Sequence, residues 1–134
     1  MTTSVTEVLW AHIRPVLADF ADRLTTVDST VMPNIQRTAN GSFPLRCYLA
    51  LKRTKDGEEM AITVDVRSNK QQLIVESDVC IDNGEVIAAG PSTIIVLAED
   101  QSLIDSAICG WTRDFEQFLR ANETTIFESA SSLK

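Results

Sequence analysis

The feature that most constrains the fold is an alternation of apolar and polar residues between Cys47 and Ile81, interrupted by short turn sequences. Asp56-Gly57 is a strong signal for a two-residue hairpin turn. Folding about it predicts an apolar face with Leu51 opposite Ile62, Leu49 opposite Val64 and Cys47 opposite Val66. The other face then pairs Ala50 with Thr63 and Tyr48 with Asp65. Apolar residues meet on one face only, which is typical of a half-buried antiparallel sheet.

Two further turns extend the meander. Asn69-Lys70 places Val66 opposite Leu73 and Val64 opposite Val75 on the same apolar face. Asn83-Gly84 pairs Ile81 with Val86 and Val79 with Ala88. The third strand is predicted from about Gln72 to Ile81 and the fourth from about Glu85 to Ala89. After a break at Gly90-Pro91, the segment from Thr93 to Ala98 is apolar on both sides, and we expect a short strand covered on both faces.

A helix is expected at each end of this meander. The first runs from about Val5 to about Thr25, with Ser4 and Glu7 as a capping box and Pro15 on its polar side. Its apolar stripe comprises Val5, Leu9, Ile13, Val16, Phe20, Leu24 and Val27. The last helix starts near Asp100 or Ser102 and reaches at least Ala121. Its stripe comprises Ile104, Ile108, Trp111, Phe115, Phe118 and Leu119.

These elements predict a single α+β domain over residues 1–134. Its antiparallel meander sheet of four to five strands would carry the N- and C-terminal helices packed on one face. The connection from Asp28 to Pro44 leaves two alternatives. Residues Val31 to Ala39 form an extra edge strand that turns at Asn40-Gly41, or the segment is an ordered binding loop.

Negative charge is concentrated in one part of the chain. The formal net charge is −7, and the stretch from Gln71 to Thr112 contains no Lys, Arg or His. We expect a negative face that favours cationic protein partners and disfavours nucleic acid. The acids of this stretch are Glu76, Asp78, Asp82, Glu85, Glu99, Asp100 and Asp105.

The alternation directs several of these acids to the face of the sheet away from the helices, around one aromatic side chain. Arg46 and Arg67 share this face and would partly neutralise it. One interpretation is a docking surface for a basic protein, and the other is a solvated face that serves solubility. Phe127 is a further candidate contact if the last helix continues past Asn122, which would expose it near the terminus. The alternative is a helix break near Asn122, with Phe127 folded back onto the body of the domain. The predicted partner-binding residues are Tyr48, Asp65, Glu76, Asp78, Asp82, Glu85 and Phe127.

Other chemistry has little support in the sequence. Cys47, Cys80 and Cys109 have neither zinc nor redox spacing, and we expect reduced thiols in the cytoplasm. His12 has no evident nucleophile or carboxylate partner. We therefore predict no catalytic residue, no metal, no cofactor and no enzymatic activity. The N-terminus lacks the pattern of a signal peptide, and no apolar run is long enough to span a membrane.

Three functions are compatible with these features. The first is a non-enzymatic, acidic protein-binding module, such as an inhibitor or immunity protein that masks a basic toxin or nuclease. The second is a dimeric secretion- or assembly-type chaperone, a class that resembles this chain in size, acidity and mixed α/β composition but shares no motif with it. The third is a small-molecule-binding domain with a cavity between sheet and helices.

Overall fold

The structure is a computed structural model that describes residues 5–38, 44–54, 57, 59–81 and 85–123. It contains two helices and six strands. In chain order these are α1 (Val5–Val27), β1 (Val31–Arg37), β2 (Leu45–Arg53), β3 (Glu59–Asn69), β4 (Gln72–Ile81), β5 (Val86–Ala89), β6 (Thr93–Val96) and α2 (Gln101–Ala121).

The six strands form one antiparallel sheet in the order β1-β2-β3-β4-β5, with β6 also paired to β4. The residues that point to one face of the central strands are buried with the apolar stripes of α1 and α2 in a continuous core. We call this the inner face, and the opposite side the outer face. The α+β architecture, with both helices on one face of a meander, is therefore confirmed.

Both helices follow their predicted stripes. In α1 the chain remains helical through Pro15, which is exposed, so solvent can satisfy the carbonyl that the proline leaves without a partner. The stripe ends before Val27, whose side chain is 68% exposed. In α2, Asp100 is the residue before the first helical position, and Ile104, Ile108, Trp111, Phe115 and Leu119 are buried. Ser4 of the predicted capping box lies outside the described residues.

The faces of the first two hairpins are as predicted, but their registers are wrong by two residues. Leu49 lies opposite Ile62, and Val66 lies opposite Val75. The first connection is wider than a two-residue turn: Lys52 pairs with Glu59, and the Gly57 N–H, at φ 77°, donates to the Arg53 carbonyl over 2.8 Å. In the second, Asn69 pairs with Gln72, so the turn residues are Lys70 and Gln71, with Lys70 at φ 58°.

The physical reason for both errors is the period of two in a strand. A shift of two residues returns every side chain to the same face, so apolar alternation selects the face and not the register. The corrected partners matter on the outer face. Tyr48 lies opposite Thr63 instead of Asp65, and Asp65 lies opposite Arg46.

The last hairpin mixes a confirmed pairing with a wrong one. Val79 lies opposite Ala88 as predicted, but Val86 pairs with Cys80 instead of Ile81. The register shifts between Val79 and Cys80 because Ile87 is an extra residue on β5, which makes a β-bulge.

Two predictions concern the edges of the sheet. The Asp28–Pro44 connection does contain an edge strand, β1, and its seven residues all pair with β2. The expected turn at Asn40-Gly41 lies outside the described residues. The prediction that the strand after Gly90-Pro91 is covered on both faces is wrong. Ile95 is 2% exposed on the inner face, but Ile94 is 58% exposed and Val96 37%, because no element covers their side of this edge strand in the described part of the chain.

The break between β5 and β6 is held against the core. The Gly90 N–H donates to the Ser77 carbonyl over 2.8 Å. The Pro91 carbonyl accepts one hydrogen bond from the Ser77 hydroxyl, at 2.9 Å, and one from the Trp111 indole N–H, at 3.0 Å. These bonds satisfy the Ser77 hydroxyl and the Trp111 indole N–H under α2. They also fix the position at which the chain passes from β5 to β6.

Candidate protein-binding surface

Four of the predicted partner-binding residues come together on the outer face. Tyr48 on β2, Thr63 on β3 and Asp78 on β4 form one row across three strands. Asp65 and Glu76 lie opposite each other in the next row. Glu85 is exposed just before β5, and its carbonyl accepts the Ile81 N–H over 2.9 Å. Asp82 and Phe127 lie outside the described residues.

Two of the three carboxylates in this cluster have a cationic neighbour. Arg46 Nε lies 3.2 Å from Asp65 Oδ1 on the opposing strand. Arg67 Nη2 forms an ion pair with Glu76 Oε1 across β3 and β4. The four side chains are 42–66% exposed, so solvent screens both pairs and a partner could displace them with little loss of stability. The expected partial neutralisation by these arginines is present in the structure.

Asp78 differs from its two acidic neighbours, since the described residues place no basic group in an ion pair with it. Burial raises the pKa of this carboxyl above its ordinary value, and the negative charges of Glu76 and then Asp65 raise it further. A cationic group from outside would stabilise the ionised form of Asp78 and relieve this repulsion. Asp78 is therefore the carboxylate on this face that gains most from a basic partner.

Tyr48 is held in place by the edge strand. Its hydroxyl donates a hydrogen bond to the Gln36 side-chain oxygen on β1, directly across the β1–β2 pair. The ring is half-buried, so it has a fixed orientation and still presents surface to solvent. A restrained aromatic loses little conformational freedom when it is covered, which is the property that favours tyrosine in interfaces.

A second, apolar part of the surface lies at the β6 edge and was not predicted. We call it the β6 groove: a depression of about 260 Å³ lined by Ile94, Ile95, Val96, Glu99, Leu103, Ile104 and Ala107. Leu103 on α2 is 53% exposed, in addition to Ile94 and Val96. The double-sided apolarity of this strand was visible in the sequence, but in the structure one of its two sides is exposed instead of buried.

The carboxylates of Asp65, Glu76 and Asp78 on the outer face lie near the β6 edge strand, which also borders the β6 groove. Ile74, two residues before Glu76 on the outer face of β4, lies opposite Ile94. The groove also has acids at the start of α2, where Glu99, Asp100 and Asp105 are exposed. The base-free stretch therefore contributes carboxylates on both sides of an apolar edge strand.

Groups of three or more His, Cys, Asp or Glu side chains that could hold a metal ion do not occur among the described residues. Within that same part of the chain, no helix has the length and apolar character needed to cross a membrane. No protein-family model, no curated protein and no solved structure matches the chain.

Proposed function

We propose that this protein is a non-enzymatic, acidic protein-binding module that takes a basic protein partner. The observation that carries the proposal is the exposed β6 edge, with Ile94, Val96 and Leu103 beside carboxylates from a stretch that contains no basic residue. Exposed aliphatic side chains on an edge strand favour contact with another polypeptide. The carboxylates favour a positively charged one.

The binding mode follows from the geometry of the edge. Among the described strands β6 pairs with β4 alone, so its outer backbone groups can accept a further strand. Apolar side chains of an added segment would contact the β6 groove. Its basic side chains would reach Asp78 and Glu76 on one side, and Glu99 and Asp105 on the other. Tyr48 would contact a partner that extends further over the outer face.

The specific form that we propose is a cytoplasmic inhibitor or immunity protein that masks a basic toxin or nuclease. In such a complex the carboxylates occupy the positions that meet phosphate in the target. Opposite charge accelerates the encounter, so the association rate should fall steeply as the salt concentration rises.

The test is affinity capture from the native host lysate at low salt, with a salt step for elution and identification of the bound proteins by mass. Ile94→Lys places a charge on the edge strand. Asp78→Lys reverses the charge at the outer-face carboxylate that has no ion pair among the described residues. The control is Val27→Lys, which adds the same charge to a side chain that is 68% exposed at the end of α1.

The proposal expects one basic partner that salt releases, that both surface variants lose and that Val27→Lys retains. Retention of every bound protein by Ile94→Lys and Asp78→Lys would contradict it. An empty eluate from the unaltered protein would also count against a protein-binding role.

A dimeric chaperone is the second candidate, and the same exposed edge favours it. Two copies could pair their β6 strands about a twofold axis. The carboxylates of both copies would then be brought together, which opposes dimerisation at low salt. Sedimentation equilibrium distinguishes the two proposals: a dimer that Ile94→Lys dissociates and that salt strengthens supports the chaperone, and a monomer at all salt concentrations rejects it.

A further inference from the structure

The two helices bring together the only histidine and a cysteine on the side of the helical layer that faces away from the sheet. Cys109 Sγ on α2 lies 3.7 Å from His12 Nε2 on α1. Cys109 is exposed and His12 is half-buried. The two residues are 97 positions apart in the chain, so no local sequence pattern could predict the pair.

The histidine is oriented by a third group. His12 Nδ1 lies 2.9 Å from the Val8 carbonyl, one turn earlier in α1. A carbonyl can only accept, so this contact fixes the proton of the neutral ring on Nδ1 and leaves the lone pair on Nε2. That lone pair faces the thiol. A nucleophile, a base within reach of its proton and a group that orients the base are the parts of an activated cysteine.

Other charged groups lie near the pair, but none of them replaces His12 as the base that takes the thiol proton. On α2, Asp105 and Arg113 lie one turn on either side of Cys109, and Glu116 lies two turns on; on α1, Asp19 lies two turns beyond His12. The three carboxylates have other partners: Gln101 donates to Asp105, Arg120 pairs with Glu116 and Arg23 pairs with Asp19. Among the described residues, no charged side chain of the sheet forms an ion pair or a hydrogen bond with His12 or Cys109.

The other two thiols provide internal references. Cys47 is fully buried on the inner face, and burial raises its pKa to about 12, with a smaller opposing effect of Arg37. Cys80 is half-buried on the outer face, and burial followed by the charge of Asp78 raises its pKa as well. Both environments disfavour the thiolate, which is the reactive form. Cys109 differs from them in its exposure and in its basic neighbour.

We propose that Cys109, activated by His12, is a modification site that reacts with hydroperoxide to form a sulfenic acid. His12 Nε2 takes the thiol proton, and the thiolate sulfur attacks one peroxide oxygen. The O–O bond breaks, an S–O bond forms, and the leaving hydroxide takes the proton from the imidazolium to give water. The net change is Cys–SH plus HOOH to Cys–SOH plus H₂O, in which sulfur loses two electrons and peroxide gains them.

Hydroperoxide suits this surface better than a charged oxidant. The chain carries a formal charge of −7, which repels anionic disulfides, whereas hydrogen peroxide is neutral. All three cysteines are free. Cys47 lies on the inner face of the sheet and Cys80 on its outer face, so neither shares the surface of Cys109. The sulfenic acid therefore has no internal thiol to condense with and would be reduced by a thiol from solution.

The test treats the full chain with hydrogen peroxide, traps sulfenic acid with a dimedone probe and follows each cysteine by peptide mass. We expect labelling of Cys109 at least about tenfold faster than that of a peptide carrying residues 105–113, and about tenfold slower in His12→Gln. Protection of Cys47 in each variant shows that the fold is intact. Cys109→Ser should abolish the fast labelling.

The pH profile separates activation by His12 from simple exposure. The pH dependence of the labelling rate should differ between the unaltered protein and the peptide that carries residues 105–113. In His12→Gln it should match that of the peptide. Equal rates for Cys109 and the peptide, or equal rates and profiles with and without His12, would overturn the proposal.

Discussion

The two faces of strands β2, β3 and β4 are formed by alternating residues of the same strands, yet different requirements select the residues on each face. On the inner face Cys47, Leu49, Ile62, Val64 and Val79 are 0% exposed. On the outer face the intervening residues, such as Tyr48, Thr63, Asp65 and Asp78, are half-buried and polar. Packing under the helices restricts the inner positions to apolar side chains. The outer residues are free to carry charge, and for that reason they are the ones available for function.

The largest expected effect tests the inner face against its neighbour on the same strand. Ile62→Ala removes a fully buried side chain and should lower the free energy of unfolding by roughly 2–5 kcal/mol. Thr63→Ala, one residue on and on the outer face, should change it by less than about 1 kcal/mol. Urea denaturation of both variants measures the contrast. Equal losses would show that the outer face is packed against something that the two-layer arrangement omits.

A second pair of variants compares a glycine beneath a helix with one on the solvent side. A Cβ on Gly90 would lie 2.2 Å from Ser77 Oγ and 3.0 Å from the Phe118 ring. Because that hydroxyl is buried and bonded to the Pro91 carbonyl, it cannot move freely, and Gly90→Ala should cost roughly 1–3 kcal/mol.

Gly110 in α2 has nothing within 4 Å of the position that a Cβ would occupy. Gly110→Ala should therefore raise the free energy of unfolding by up to about 1 kcal/mol, the usual gain of alanine over glycine within a helix. Thermal or urea unfolding of the two alanine variants should give shifts of opposite sign. A loss of stability in both would mean that α2 has a neighbour at Gly110 in solution.

The contrast between the faces also explains which parts of the structure the sequence could predict. Apolar alternation and helical stripes depend on burial, so the order of β2, β3, β4 and β5, the limits of β4 and the faces of β2, β3 and β4 were predictable. Register was not, because a shift of two residues preserves every face, as Leu49 and Ile62 show. The β-bulge at Ile87 was not predictable either, since the Asn83-Gly84 signal defines a turn and not the regularity of the strand that follows.

The candidate sites also contain residues that the sequence could place and residues that it could not. The alternation of side chains along each strand was enough to place four residues on one surface: Tyr48, Asp65, Glu76 and Asp78. The exposure of Ile94 and Val96 could not be predicted, because double-sided apolarity does not distinguish a strand covered on both faces from an edge strand with one exposed face. The Cys109–His12 pair needed the packing angle and offset of two helices, which no local pattern encodes.

The smallest expected effect examines the cost of the charged outer face. The pKa of Asp78 is raised in the folded state, so the folded protein holds this proton at pH values where the unfolded chain, with an aspartate near its ordinary value of 3.8, has lost it. The resulting stability is complete below the unfolded pKa and is lost as the pH rises through the folded one. Asp78→Asn should therefore match the unaltered protein in acid and exceed it in stability at neutral pH.

Because Asp78 is partly exposed, this gain should stay below about 1 kcal/mol. Asp65→Asn is the matched control: it removes a carboxylate from the same face but also the ion pair with Arg46, so it should give no gain. Urea unfolding in acid and at neutral pH measures both variants. A neutral-pH gain for Asp78→Asn alone would mean that the chain retains a destabilising charge at the point where the proposed basic partner would bind, as expected for a residue kept for binding and not for folding. Equal behaviour of the two variants would instead make the outer face an ordinary solvated surface.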